Sequence, residues 1–473
     1  MKGAIRCFMA KQINSKVEFC YAAATLSQIN SPMKHIAIIL TLATAALTNS
    51  TFAQSQIMRR VPAEEVTLDA LLAPSTLFPQ TKAEFMTAAK PLGFEWTSAT
   101  QDSARSDRPK SKFNGQQVYE TVIRFEGDKL KDATVLFYAR GDSGEIGKAK
   151  FDLMVTSSVT ALDKLTAKKF TPRGKDQKSA VKADGVFWQL DNAIYTLEYS
   201  ATKEKMGVPY RSEFIRLEIT PPAEKKNLLQ TAFATTKKFD PKSQVKKETG
   251  GDVFIPTVPM VDQGQKGYCA VATTERVMRY YGVSTDANEI AQIANSDASR
   301  GTSSMEMIGA LKKVQGRLRI RVKPEIEPEY REFTKLVEDY NRAAKKAKAS
   351  ELPDPKKFNV SWMVYGEMDQ KILKEVKVKD NAGFTKFQRI ITQHIDLGIP
   401  LTWSVQLGIV PEPNIPQGAG GHMRLIIGYN TQTKELIFSD SWGAGHEKKR
   451  MALDDAWSIT TGLITIEPTQ GGT

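Results

Sequence analysis

Gln263-Gly264-Gln265-Lys266-Gly267-Tyr268-Cys269-Ala270-Val271-Ala272-Thr273 is the stretch on which the fold and chemistry of this chain turn. A polar, glycine-bearing loop runs into residues 271–281, whose pattern is helical, so Cys269 stands at the start of a helix. Unpaired backbone N–H groups and the helix dipole at that end favour a thiolate over a thiol. The other two cysteines, Cys7 and Cys20, fall in a leader that the sequence marks for removal, which leaves Cys269 without an internal disulfide partner. A lone thiol in an exported chain is an inert core residue, an intermolecular partner or a nucleophile, and the loop-to-helix setting favours the nucleophile.

The leader is expected over residues 1–53. Met33-Lys34-His35 followed by the apolar run 36–47 reads as the start of a signal peptide, and Thr51-Phe52-Ala53 ends in the small residue a signal peptidase requires. Translation is expected to begin at Met33. The apolar run is too short to span a bilayer, so the mature chain is read as secreted or periplasmic, with no integral membrane segment. The 473 residues suit two or three domains. The net charge is +13, of which residues 1–53 supply five Lys/Arg against one acid, so the chain beyond the leader keeps roughly +9, which suits an anionic envelope polymer as a contact. The charge is spread thinly and carries no aromatic-interleaved basic motif, so nucleic acid is not expected as a partner.

Residues 54–222 read as a small α+β accessory domain. A helix is expected over 82–90, with Thr81 and Glu84 forming a capping box. Alternation marks strands at 118–125, 133–139, 185–190, 193–199 and 213–220, and a second helix falls at 148–168. Arg140-Gly141-Asp142-Ser143-Gly144 reads as a turn. Residues 223–252 read as a Lys-rich helix and flexible linker.

The last domain is expected over 253–468. Helices fall at 270–281 and 286–294, and Ser303-Ser304-Met305-Glu306 opens another with a capping-box pattern. A strand at 317–322 and a charged helix at 329–349 follow. A helix at 385–397 then leads to strands at 401–406, 423–428, 436–438 and 462–466. Helices first and antiparallel strands afterwards describe an α+β, two-lobed arrangement with a cleft between the lobes.

A cysteine nucleophile needs a base, an orienter for the base and donors for an oxyanion. Three histidines remain beyond the leader: His394, His422 and His446. His422 follows Gly418-Ala419-Gly420-Gly421 at the start of a strand, a setting that leaves its imidazole open to a cleft. His394 reads as a surface residue of a helix and His446 as a solvated loop residue. Asp440 ends the strand after His422. Two adjacent antiparallel strands can bring its carboxylate to one imidazole nitrogen and leave the other for the thiol, with Trp442 shielding the pair from water. The Gln263 amide and the Cys269 backbone N–H are candidate oxyanion donors.

Gln-Gly-x-x-Gly-x-Cys at 263–269 is similar to the nucleophile loop of papain-like cysteine peptidases, and Asp440-Ser441-Trp442-Gly443 resembles their Asn-Ser-Trp-Gly turn. Arg279-Tyr280-Tyr281-Gly282, Leu397-Gly398-Ile399-Pro400, Gly421-His422 and Gly428-Tyr429 resemble more closely the bacterial branch that includes double-glycine-specific, bacteriocin-processing peptidases. The resemblance spans about 253–468 and leaves out the N-terminal domain. It implies a papain-like two-lobed domain in which Cys269 is nucleophile, His422 base, Asp440 orienter and Gln263 oxyanion donor, acting on a peptide or protein. Ala270 departs from the aromatic or glycine residue usual after the nucleophile, and the insertion near 324–357 is longer than a minimal domain needs. The same residues fit two other readings, a catalytically silent peptide-binding module and a cell-wall peptide hydrolase or transglutaminase-like acyl transferase. The sequence calls for no cofactor and no metal.

Overall fold

Period-two alternation along 120–139 and 184–220 builds an eight-stranded antiparallel sheet in the N-terminal part of the chain. Its strands lie in the order Glu95–Trp96, Ser103–Ser106, Glu120–Glu126, Lys129–Ala139, Arg211–Thr220, Ile194–Thr202, Asp184–Gln189, Thr171–Pro172. Val135, Leu197, Leu217 and Ile219 point into one core, which the helix Lys148–Thr166 covers with Phe151 and Leu162. The helix Lys82–Ala89 opens with the expected capping box: Thr81 and Glu84 each accept the other's backbone N–H. This computed structural model describes residues 64–469 except 174–179, 182, 205–208, 223–238, 284, 297–300 and 328. The expected leader and most of the Lys-rich segment lie outside the described residues.

Several boundaries differ from expectation. The strand foreseen at 118–125 is two strands: Gln116–Val118 turns away to pair with Ser111–Phe113, and Glu120–Glu126 stays in the large sheet. The turn at 140–144 is a single helical turn, Arg140–Ser143. Ser103–Ser106 was illegible as a strand because all four of its residues are buried, polar ones included, so it shows no alternation.

The second sheet is also antiparallel, in the order Lys246–Lys247, Asp252–Phe254, Gly420–Asn430, Leu401–Leu407, Thr460–Pro468, Ile320–Ile326. Glu435–Ser439 pairs beside Gly420–Asn430 and also with Lys449–Ala452. Lys246–Lys247, read as the end of a flexible linker, is therefore a sheet edge. The strand expected at 317–322 starts later, because the helix Ser304–Leu318 continues until Arg319 adopts a left-handed conformation that ends it. That strand pairs with Thr460–Pro468, so the helices do not all precede the sheet. Gly428 is obligatory where the strands meet: a Cβ there would lie 2.5 Å from the Cβ of Phe254.

Helices Cys269–Tyr280, Ala287–Ala294, Ser304–Leu318, Tyr330–Ala347, Gln370–Lys379, Asn381–Asp396 and Leu453–Ile459 pack around this sheet. Trp403 is fully buried among them, and its indole N–H donates to Thr460 Oγ1 at 2.8 Å. The architecture is mixed α+β. The two sheets have separate hydrophobic cores but belong to one compact unit that begins at Ala63. Among the described residues no helix is long and apolar enough to cross a membrane.

Candidate active site

Cys269 is the first residue of the helix Cys269–Tyr280 and is partly buried. The helix is fixed to the two strands that matter for it. Thr273 Oγ1 donates to the Met423 carbonyl at 3.1 Å, next to His422. Arg276, almost wholly buried, donates to the Asp440 carbonyl at 2.8 Å, to Ser439 Oγ at 2.6 Å and to the Pro259 carbonyl at 2.8 Å. Burial pulls the Arg276 guanidinium down to about 10, which leaves it charged at neutral pH.

His422 stands near the start of Gly420–Asn430, and Asp440 follows Glu435–Ser439, the strand beside it. Pairing of Leu425 with Ser439 brings the two side chains together, with His422 Nε2 3.0 Å from Asp440 Oδ1. Nδ1 has no fixed hydrogen bond and is the nitrogen left for Cys269. Burial alone would raise the Cys269 thiol. The hydrogen bond and charge of His422, with the backbone N–H groups of Met423 and Ala270, outweigh it and hold the thiol below its ordinary value. His422 moves the other way: burial disfavours its imidazolium, but Asp440 and Cys269 outweigh burial and raise it. Asp440 is held below its usual range despite burial, by His422, Arg424 and Lys449. These directions favour one charge state, a thiolate beside an imidazolium beside a carboxylate.

The imidazole is not open to a cleft, as the glycine run suggested. It is buried, and Trp442 lies flat against it, with ring centres 4.2 Å apart and planes 11° from parallel. His446, expected in solvent, packs edge-on against Trp442 at 5.5 Å. His394 is half-buried; its Nδ1 lies 2.8 Å from the Ile390 carbonyl and its Nε2 3.5 Å from Glu325. Gln263 is pinned beside Asp440 through Ser441: its backbone N–H donates to the Ser441 carbonyl at 2.8 Å, and its side-chain oxygen accepts from Ser441 Oγ at 2.7 Å. Its amide nitrogen donates to the Lys266 carbonyl at 2.9 Å, which leaves one further N–H.

Residues 255–464 match the Peptidase_C39 like family. This segment is cysteine peptidase-like. No curated protein matches the chain. The match contains Gln263, Cys269, His422 and Asp440 and leaves out the N-terminal sheet.

Within the peptidase-like segment, sequence reasoning missed the groups that surround Asp440. Arg424 is fully buried; its Nε donates to Asp440 Oδ1 at 2.8 Å, and its two terminal nitrogens grip Glu412 at 2.9 and 3.0 Å. The one signal was a single charge inside the apolar strand run Met423-Arg424-Leu425-Ile426-Ile427, since a buried charge demands a partner. Arg276 carried no comparable mark, because an arginine in a helix usually faces water. Among the described residues no cluster of three or more His, Cys, Asp or Glu side chains is placed to hold a metal ion.

Proposed function

We propose that the chain is an exported cysteine peptidase that hydrolyses peptide amide bonds through Cys269, His422 and Asp440, in a papain-like segment that follows an accessory N-terminal domain. The observation that carries this reading is the coupled set of contacts at the site. A half-buried thiol at a helix start is stabilised as thiolate by an imidazole, and that imidazole's far nitrogen is held 3.0 Å from a buried carboxylate.

The steps follow from the charge state. The Cys269 thiolate attacks the peptide carbonyl, and a carbon–sulfur bond forms as the oxygen takes up negative charge. The Cys269 backbone N–H and the remaining N–H of Gln263 donate to that oxygen. His422 passes its proton to the leaving nitrogen, the carbon–nitrogen bond breaks, and a thioester remains. Neutral His422 then takes a proton from water. The water oxygen attacks the thioester, and the carboxylic acid and thiolate are released. Asp440 fixes the ring orientation and stabilises the imidazolium, while Trp442 excludes water from their contact. Export is supported by the signal-like residues 33–53.

Incubation with an unfolded protein substrate, read by product mass and by intact-protein mass, tests the proposal. New peptide termini should appear, with a transient acyl adduct on Cys269 that Cys269→Ala lacks. Binding of peptides with neither product nor adduct would sink the peptidase and favour a silent binding module.

A further inference from the structure

The N-terminal sheet lies outside the family match, yet its charged groups close on the loop before Cys269. Lys266, three residues before the nucleophile, places its ammonium 2.8 Å from Glu120 and 2.8 Å from Asp142. Glu120 opens the strand Glu120–Glu126, and Asp142 sits in the helical turn Arg140–Ser143. The other oxygen of Glu120 takes the Nε of Arg105, whose guanidinium also lies 3.8 Å from Asp262. Asp262 in turn accepts the Gly264 N–H at 2.8 Å. Gly264 has a φ of +64°, and a Cβ there would meet the Arg105 guanidinium at 2.2 Å. Gly141 is equally close, since a Cβ would collide with the Tyr268 hydroxyl. The loop is thus gripped on both sides of the residue that anchors Gln263, because the carbonyl of Lys266 is the acceptor for the Gln263 amide.

We propose that the N-terminal sheet is a built-in positioning element for the oxyanion side of the active site, in which Glu120 and Asp142 act through Lys266 to hold Gln263 in place. This rests on the peptidase reading given above. These grips fall on the loop, whose Lys266 lines a cavity of about 260 Å³ with Glu120, Glu275 and Arg279. They do not fall on the helix face of Thr273 and Arg276, which is tied to the His422 and Asp440 strands. Lys266, Glu120 and Asp142 are positioning residues; they touch no reacting atom. The inference gives the N-terminal sheet an activating role, opposite to that of a cover over the cleft.

The test exploits a difference in chemistry. Alkylation of Cys269 by iodoacetamide displaces iodide from carbon and needs only the thiolate, whereas acylation by a peptide passes through an oxyanion. In the full chain, Lys266→Met should lower kcat for peptide hydrolysis by about 10–100-fold, less than complete loss of an oxyanion donor, with KM little changed. Affinity for peptide aldehydes, whose adducts carry the same oxygen, should fall in parallel. The alkylation rate should stay within about twofold of wild type, and Lys266→Arg should recover most of the hydrolysis. The paired variant Glu120→Gln with Asp142→Asn, which keeps side-chain size, should reproduce the loss if Lys266→Met does not fold.

Unchanged hydrolysis in these folded variants would overturn the inference, as would equal loss of alkylation and hydrolysis. Raised hydrolysis would overturn it in favour of a cover. If the wild-type chain alkylates but neither hydrolyses the substrate nor binds any of the aldehydes, the peptidase reading itself falls, and this inference with it.

Discussion

His422→Ala is expected to slow peptide hydrolysis by on the order of 10⁴-fold, and adding Cys269→Ala should cost little more, because groups that act as a unit are not additive. The imidazole has three duties in this site. It stabilises the thiolate, donates to the leaving nitrogen and activates the water that frees the acyl group. None of the neighbours can replace it: His446 packs on the edge of Trp442, and His394 is tied to Ile390 and Glu325. The variant should still fold, because Asp440 keeps Arg424 at 2.8 Å after the ring is removed. Initial rates and thermal unfolding of the same samples check both halves. A variant that retains activity within tenfold would remove His422 from the mechanism.

Arg424→Met is expected to be the most damaging single change to stability, costing about 3–5 kcal/mol, the usual cost of breaking a buried ion pair by removing one partner. Methionine fills much of the space but takes from Glu412 its paired guanidinium and leaves Asp440 with only His422 and Lys449. The effect should depend on pH. In the wild type, Asp440 is held below its usual value, so it contributes stability that is present above the unfolded carboxylate range and is lost as pH falls through its folded value. Without Arg424 the desolvation of Asp440 loses an opposing cation. Its folded value then rises, and protonation on acidification relieves part of the cost. The stability gap between wild type and variant, measured by urea unfolding, should therefore be narrower at pH 5 than at pH 7. Equal stability at both pH values would show that Arg424 is not holding buried charge.

What the sequence revealed here depended on how far apart the interacting residues lie. The capping boxes at Thr81 and Ser303 involve partners three residues away, and both formed as read. The apolar runs after His422 and before Asp440 marked two successive strands, and their antiparallel pairing brings His422 to Asp440, which follows the second. The sequence did not show what comes from distant segments. Arg424 and Glu412 are twelve residues apart across a strand reversal, and Arg276 reaches Asp440 over 164 positions. Ser103–Ser106 hides as a strand because Arg105 faces Glu120 and Asp262 instead of water. The glycines before His422 suggested an open imidazole, but Trp442 closes over it, a contact that depends on the turn after Asp440.

The most direct test of the account is the rate of Cys269 alkylation against pH, in the wild type and in His422→Ala, followed by intact mass. The Cys269 thiol is held below its ordinary value, so the thiolate persists as pH falls, and His422 is raised, so its proton persists as pH rises. The account requires these shifts to carry the thiol below the imidazole, so that between the two values the site is a thiolate–imidazolium pair. The account predicts rapid labelling at mildly acidic pH in the wild type. In His422→Ala the profile should revert to a rise near the ordinary thiol value of about 8.5. The same rise near that value in both proteins would contradict it, because Cys269 would then be a plain thiol with no partner in His422.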